Sequence, residues 1–356
     1  MSTQRLRVGV IGAGVGAAHL QAYSKLPRAE ILALAGLDDD RVRRVAETFH
    51  VPRTYREYQE LLDAPEIDAV SVCLPNALHA PVSIAALEHG KHVLVEKPLA
   101  RNAEEGRSMI DAAEQHGRVL MVAFNHRYRG DVQWLKQYVD SGALGEIYYA
   151  KAHWMRRRGI PRLGSWFVSK EQAGGGPLID LGVHVLDMAM NLMGEPRPVA
   201  VSGNTYAKFG PRGLKGWGTR QFTDEQRPYE VEDLATGFVR LEGGATLLLE
   251  ASWATHGPAG DDFGVTLYGT EGGAELLVRN YAQENTLRLF TDIEGVPVDS
   301  VPTVRPGKEH LAVIENFVAA LLDGAPPIPS AAEGLRRTEV LDAFYRSAAE
   351  GHEVTI

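Results

Sequence analysis

The fold prediction starts from one stretch near the N-terminus, Val8-Gly9-Val10-Ile11-Gly12-Ala13-Gly14-Val15-Gly16-Ala17. Its first part extends the β-forming run Arg7–Ile11, and the glycines then open a helical pattern. Gly12 suits the tight turn, and Gly14 lets the backbone approach a pyrophosphate at the helix N-terminus. Ala17 is an accepted variant at the third fingerprint position. A plain glycine turn is the alternative; as a dinucleotide loop, its cofactor contacts are Gly12, Ala13, Gly14, Val15 and Gly16.

Short apolar runs alternate with helical patterns from this loop to the strand-like segment Val119–Phe124. Strands that alternate with helices imply right-handed crossovers and a parallel sheet. We therefore predict a doubly wound Rossmann domain over residues 1–124.

The pattern changes after residue 125, and a second α/β domain is expected over residues 125–356. A helix is predicted from Pro177 to Met193. Tight turns join the strand pairs Leu234–Leu241 with Ala245–Trp253 and Gly264–Tyr268 with Glu275–Val278, which indicates antiparallel pairing. Two helices close the chain and are able to pack back on the first domain. The glycine-rich stretch Lys208–Glu232 is long for a loop.

Composition excludes several classes of protein. The 356 residues are 44% hydrophobic and 23% charged, which is typical of a folded globular chain. A formal charge of −9 argues against a nucleic-acid or membrane-surface partner. The single cysteine, Cys73, and an N-terminus without a secretory leader make a cytoplasmic location the expectation.

An acidic cluster follows the second predicted strand. Asp38 stands about 20 residues beyond the glycines, where a carboxylate binds the ribose 2′-hydroxyl. Asp39 and Asp40 add negative charge that repels a 2′-phosphate, so NAD is favoured over NADP. The alternative role of Asp38 is an N-cap of the next helix.

Further polar residues follow the strand-like segments of the first domain. The carboxyl ends of parallel strands share one edge, where ligands bind in such sheets. We therefore expect one cofactor rim that includes Leu74, Pro75, Asn76, His79, Glu96, Lys97 and Arg127. Lys97 is suited to orient a substrate hydroxyl, although a solvated surface lysine is the alternative.

Asp180 and His184 are four residues apart in the predicted helix, and Asp187 comes three residues later. At 100° per residue the three fall on one polar stripe. Oxidation of an alcohol with NAD requires a base, and histidine beside a carboxylate fits that role. An exposed face with an ordinary ion pair is the alternative.

These segments resemble the glucose–fructose oxidoreductase / inositol dehydrogenase / rhizopine catabolism family, known as Gfo/Idh/MocA. The resemblance covers essentially the whole chain. Its most specific blocks run from Gly90 to Pro98 and from Gly174 to Asp187, and Tyr268–Gly272 is similar as well.

The resemblance implies a Rossmann domain followed by a domain with an open antiparallel sheet that forms dimers or tetramers. It implies a catalytic trio of Lys97, Asp180 and His184, with His184 as the acid/base. It further implies that the nicotinamide half of the cofactor is lined by Asn76, His79, Glu96 and Arg127. One departure concerns the loop histidine, because His19 comes one residue earlier than is usual in the family.

The leading hypothesis is an NAD-dependent dehydrogenase that oxidises a ring hydroxyl of a sugar, cyclitol or sugar derivative. Two alternatives are an enzyme that retains NAD and oxidises its sugar transiently, and a non-catalytic NAD sensor. Substrate contacts are expected from Lys97, Asp180 and His184, and also from Trp154, Arg156 and Trp166. For the basic residues around Arg156, an inter-subunit or solvated basic patch is an equal alternative. No residues have convincing metal-ligand spacing, so no metal is expected.

Overall fold

The computed structural model describes residues 5–214, 216, 228–258 and 260–356. These residues divide into two compact units. Unit 1 contains residues 1–125 and 308–335, and unit 2 contains residues 126–307 and 336–356. The predicted domain boundary at residue 124 stays a prediction, and each unit is described separately below.

Unit 1 is built on a six-stranded parallel sheet with the order β3-β2-β1-β4-β5-β6. Its strands are β1 (Leu6–Ile11), β2 (Ala29–Ala35), β3 (Arg53–Tyr55), β4 (Ala69–Val72), β5 (His92–Glu96) and β6 (Leu120–Ala123). The helices between them are α1 (Gly16–Tyr23), α2 (Asp39–Phe49), α3 (Tyr58–Leu62), α4 (His79–Glu88) and α5 (Ala103–Gln115). This strand order is that of the Rossmann fold, so the predicted doubly wound domain is confirmed.

The central strands of unit 1 are mostly apolar because helices cover both faces of a parallel sheet. All four residues of β4 and of β6 are buried. Side-chain caps begin two of the helices: Asp38 accepts a hydrogen bond from the backbone N–H of Arg41, and Asn102 accepts one from that of Glu105. The local sequence therefore sets both the strands and the helix starts.

The later segment of unit 1 contains α9 (His310–Asp323) and the start of α10 (Ala331–Glu350). Helix α9 packs against α1, β1 and β6. A β-bridge joins Ser330 to Met121 on β6. Residues 308–335 therefore complete the core that the first 125 residues begin.

Unit 2 is built on a nine-stranded sheet with the order β14-β13-β12-β11-β7-β10-β9-β8-β15. Its strands are β7 (Ile147–Arg156), β8 (Pro198–Tyr206), β9 (Leu234–Leu241), β10 (Thr246–Ser252), β11 (Asp261–Gly269), β12 (Gly273–Arg279), β13 (Leu287–Ile293), β14 (Val296–Ser300) and β15 (Val354–Thr355). Strands β7 and β10 pair in parallel, and the other neighbours are antiparallel. The fold class and both predicted hairpins, β9–β10 and β11–β12, are confirmed.

The helices of unit 2 besides α10 are α6 (Gly130–Asp140), α7 (Lys170–Ala173) and α8 (Val183–Leu192). Helix α8 packs on β7 and β11 and also contacts α6. Alternate residues of β7 are buried, from Ala150 to Arg156, as expected where one face of a sheet lies on a core.

The prediction of one continuous α-helix from Pro177 to Met193 is wrong at its start. Leu178–Gly182 form a π-helical turn, and the α-helix begins at Val183. The angular argument that placed Asp180 on the stripe assumed 100° per residue, which a π turn does not follow. In the stretch Lys208–Glu232, residues 215 and 217–227 lie outside the described residues. In its described part, Gly210–Arg212 form a short 3-10 turn.

Candidate active site

The glycine loop of unit 1 has the shape that a dinucleotide requires. Gly12 adopts φ +105°, and a Cβ there would lie 2.1 Å from the carbonyl oxygen of Cys73, so glycine is needed. A Cβ on Gly14 would meet only the Arg41 guanidinium, at 4.0 Å. The loop therefore presents open backbone at the start of α1, where N–H groups and the helix dipole favour a pyrophosphate.

The predicted neighbours of this loop differ in exposure. Ala13 and Gly16 are buried, and Val15 is exposed. Leu74 and Pro75 are half-buried after β4, and Asn76 is buried. Asp38 caps the N-terminus of α2, which is the alternative role that the sequence allowed for it. Its carboxylate is exposed to solvent beside Arg41.

His79 connects two loops of the rim. Its ring is fully buried, with Nδ1 2.7 Å from the carbonyl oxygen of Pro98 and Nε2 2.9 Å from that of Leu74. Burial lowers the pKa of His79. The two ring nitrogens thus face carbonyl oxygens from the loops after β4 and after β5, and the His79 ring packs between these loops.

Glu96, at the end of β5, forms a buried ion pair that the sequence patterns did not indicate. His19 Nε2 donates to Glu96 Oε1 over 2.9 Å, and Glu96 Oε2 accepts the backbone N–H of Lys97 over 3.2 Å. Burial opposes the charge of each partner. Cys73 and Glu96 nevertheless raise the pKa of His19 to about 10, and His19 lowers the pKa of Glu96 to about 2. The rim thus carries a fixed anion beside half-buried Lys97.

His310, the first residue of α9, extends this pair into a cluster. Its Nε2 lies 3.9 Å from Glu96 Oε1. One ring nitrogen of His19, one of His310 and one carboxylate oxygen of Glu96 all lie within 4.8 Å of one another. Burial lowers the pKa of His310. The residues come from three distant segments, which explains why spacing along the chain gave no signal for the cluster.

In unit 2, the π turn presents Asp180 half-exposed and the following helix carries buried His184. Trp253 Nε1 donates to Asp180 Oδ2 over 2.9 Å. The His184 ring lies against His126 and Trp154, with ring centroids 4.5 Å and 5.6 Å away. Aromatic neighbours therefore hold both predicted catalytic residues of this segment. The sequence analysis named Trp154 only as a substrate contact, and it did not identify His126 or Trp253.

A buried carboxylate fixes the turn before Asp180. Glu232 accepts hydrogen bonds from the backbone N–H groups of Gly176 and Leu178 and from the hydroxyl of Tyr345. A Cβ on Gly175 would lie 2.0 Å from the Tyr345 hydroxyl oxygen, and one on Gly176 would lie 2.2 Å from the Glu232 carbonyl oxygen. The triple glycine therefore admits the groups that hold the π turn.

Asp187 has a different environment from the one that its place on the predicted stripe suggests. Its carboxylate accepts two hydrogen bonds of 2.7 Å from the guanidinium of Arg127 and one of 3.0 Å from Arg337. Glu195 pairs with both arginines. Arg127, predicted at the nicotinamide, is 2% exposed, and it belongs to this buried network in unit 2.

Two of the predicted substrate residues are also buried. Trp154 Nε1 and Arg156 Nε both donate to Asp261, over 2.7 Å and 2.9 Å. Arg156 Nη2 donates to the hydroxyl of Tyr281, whose side chain is 47% exposed. Trp166 is half-buried and stacks on Phe167 at 3.9 Å. Tyr281, which the sequence analysis missed, is the exposed member of the Arg156 cluster.

Fold and loop together define an NAD-dependent oxidoreductase. The chain belongs to the Gfo/Idh/MocA oxidoreductase family: the family's NAD-binding Rossmann fold matches residues 6–124, and its C-terminal alpha/beta domain matches residues 136–356. The predicted family, enzyme class and cofactor are thereby confirmed. Across the described residues, no helix combines the length and apolar character needed to cross a bilayer.

Among characterised relatives, the D-glucoside 3-dehydrogenase of Escherichia coli (strain K12) is 33% identical over 359 residues, covering 100% of this chain and 99% of the relative. The levoglucosan dehydrogenase of Pseudarthrobacter phenanthrenivorans is 32% identical over 371 residues, covering 99% and 91%. A solved structure of levoglucosan dehydrogenase with NADH and levoglucosan is similar over 99% of this chain and 100% of that one, with a TM-score of 0.87 and 28% identity.

Proposed function

We propose that this chain oxidises one secondary ring hydroxyl of a sugar, cyclitol or sugar derivative to a ketone. The observation that carries the proposal is the segment of Asp180 and His184, in which a carboxylate and an imidazole four residues apart are held by aromatic partners. The names of two relatives aligned over almost the whole chain, D-glucoside 3-dehydrogenase and levoglucosan dehydrogenase, support this substrate class.

The proposed chemistry uses each group in one role. Bound NAD supplies the hydride acceptor. His184 takes the hydroxyl proton as the C–O bond becomes a carbonyl, and Asp180 binds the substrate or stabilises the imidazolium that forms. Lys97 donates a hydrogen bond to the reacting oxygen and favours the alkoxide as its negative charge develops.

We further propose that Arg156 and Trp154 act in recognition through the residues that they hold. Both side chains bind Asp261, and Arg156 also holds the hydroxyl of exposed Tyr281. Tyr281 adopts φ +60°, an uncommon conformation for a bulky residue. Its ring then offers an aromatic face to the C–H face of a sugar, as does the ring of Trp166.

The test is a spectrophotometric assay with NAD and a panel of glucosides, anhydro sugars and cyclitols, followed at 340 nm. Asp180→Asn and His184→Asn should each lower kcat by at least about 100-fold on any substrate found, because general acid–base catalysis contributes at least that much. Lys97→Met should do the same. Asp140→Asn, at an exposed site on α6, is the control. Turnover that survives Asp180→Asn and His184→Asn would refute the proposal.

Cofactor retention decides between the leading hypothesis and transient oxidation. Protein that releases its NAD on dialysis and gel filtration, and that reduces added NAD in proportion to sugar, is a simple dehydrogenase. NAD that stays bound through both procedures, without net reduction of added NAD, would instead indicate transient oxidation of the sugar.

We also propose that two or four copies assemble through the sheet of unit 2. A groove of ≈ 630 Å³ on this sheet is lined by strand and turn residues, among them Lys151, Leu248 and Glu250. Tyr149 and Tyr268 stack nearby with ring centroids 5.2 Å apart. Light scattering should show a dimer or tetramer that Leu248→Arg dissociates and Asp140→Arg does not. A wild-type monomer would refute this assembly.

A further inference from the structure

Trp253 is the residue that the structure adds to the candidate active site. It follows β10 directly, and its side chain is fully buried. Its indole N–H donates to Asp180 Oδ2 over 2.9 Å. An indole N–H is a donor without acceptor capacity, and a buried tryptophan normally satisfies it. The bond therefore restricts the orientation of the Asp180 carboxylate.

The backbone on both sides of this bond is rigidly packed. The backbone N–H of Trp253 donates to the carbonyl oxygen of Asp233 over 3.0 Å. Strand β10 packs on the π turn so closely that a Cβ on Gly182 would lie 3.2 Å from the Cβ of Ala251. Donor and acceptor thus sit on two elements that cannot shift apart without disturbing the core.

The π turn makes such a partner necessary. A π turn is wider than an α-helical turn and is frequent at functional sites. It displaces Asp180 from the position that a regular helix gives relative to His184. A carboxylate without a fixed partner would sample several rotamers there, and each unproductive rotamer lowers the fraction of enzyme that is ready to react.

We propose that Trp253 is a positioning residue for Asp180, acting through the indole–carboxylate hydrogen bond. This inference rests on the proposed function, in which Asp180 acts on the substrate. It adds a residue that neither touches the reacting atoms nor belongs to the sequence blocks around Lys97 and His184.

Trp253→Phe removes the donor and keeps an aromatic ring in the core. The expected result is a kcat lowered by about tenfold or more with KM within about threefold, because hydrogen bonds to charged groups are among the stronger ones. Trp134→Phe, on α6 with its ring stacked on Tyr138, is the matched control and should retain both parameters. Both variants are compared with wild type by circular dichroism and urea unfolding.

The outcomes separate the two proposals. Wild-type kcat in folded Trp253→Phe, together with inactive Asp180→Asn, would overturn the positioning role and leave the proposed function standing. Active Asp180→Asn would instead overturn the proposed function. A Trp253→Phe variant that loses kcat together with folding stability, and whose KM is raised, would indicate a structural role and also overturn the inference.

A second measurement does not require a tryptophan variant that folds. Each of the five tryptophans carries one indole N–H, whose signal is recorded in a ¹⁵N-correlated spectrum of the labelled wild-type protein. Asp180→Asn should move one of them upfield because a hydrogen bond to a carboxylate becomes one to a neutral amide. Indole signals that are the same in wild type and Asp180→Asn would overturn the inference.

Discussion

Asp187→Asn removes a charge that two buried guanidinium groups share. Arg127 is 2% exposed and Arg337 is 0% exposed, and both donate to this carboxylate. In the variant, Glu195 is the remaining carboxylate of the network, and it already pairs with both arginines. Breaking a buried ion pair by removal of one partner costs about 3–5 kcal/mol. We expect a loss of that size in the free energy of unfolding.

The assay is urea unfolding followed by circular dichroism, with thermal unfolding as a second measure. At about 2–4 °C per kcal/mol for a domain of this size, Tm should fall by about 6–20 °C. Asp140→Asn is the matched control, since this exposed acid pairs with Lys136 on the surface of α6. Its expected loss is at most about 0.5 kcal/mol.

Enzyme assays on the same variants decide whether Asp187 belongs to the catalytic stripe. Well below its Tm, Asp187→Asn should retain kcat within about threefold, because its carboxylate binds arginines in the core. Asp180→Asn should show the reverse, with little loss of stability and loss of turnover. Wild-type unfolding of Asp187→Asn together with lost turnover would refute the structural assignment.

Three further predictions concern other parts of the molecule. The His19–Glu96 pair should stabilise the fold most between pH 4.5 and 6.5. The raised pKa of His19 makes its contribution decline as pH rises toward about 10, and the lowered pKa of Glu96 makes its contribution decline as pH falls toward about 2. Urea unfolding of wild type and Glu96→Gln across pH measures this, and a difference in the free energy of unfolding that stays constant with pH would contradict it. Gly175→Ala should cost about 1–3 kcal/mol, measured in the same way, because its Cβ would meet the Tyr345 hydroxyl, and Tyr345→Phe should recover part of the loss; no loss in Gly175→Ala would be evidence against this packing. Tyr281→Phe should raise KM for the sugar by severalfold with kcat retained, whereas an unchanged KM would remove Tyr281 from recognition.

The fold was predictable because its signals are local. Short runs of consecutive residues indicate the alternating strands and helices, the glycine loop after β1 and the tight turns of the second sheet. The cofactor rim stays a prediction, and its basis is topological, because the carboxyl ends of parallel strands meet at one edge of the sheet. Within unit 1, Glu96 is the last residue of β5, and His79 lies at the start of α4, which follows β4.

The partners of the site residues were not predictable in the same way. Glu96 pairs with His19 across 77 positions, and Asp180 pairs with Trp253 across 73. Such pairs depend on how folded elements meet, and no periodic pattern records them. The stripe argument failed for Asp187 because helical spacing shows which residues are neighbours on one helix and not what packs against them.

The discontinuity of unit 1 has a consequence for the order of events during synthesis. Its core needs α9 against α1 and the bridge from Ser330 to Met121, and about 180 residues of unit 2 are translated in between. At the ribosome, synthesis of the nucleotide-binding unit begins first, but its core is completed only after most of unit 2 has been translated. A nascent chain halted before residue 308 leaves the apolar surfaces of α1 and β6 without their cover, exposed to chaperones and proteases.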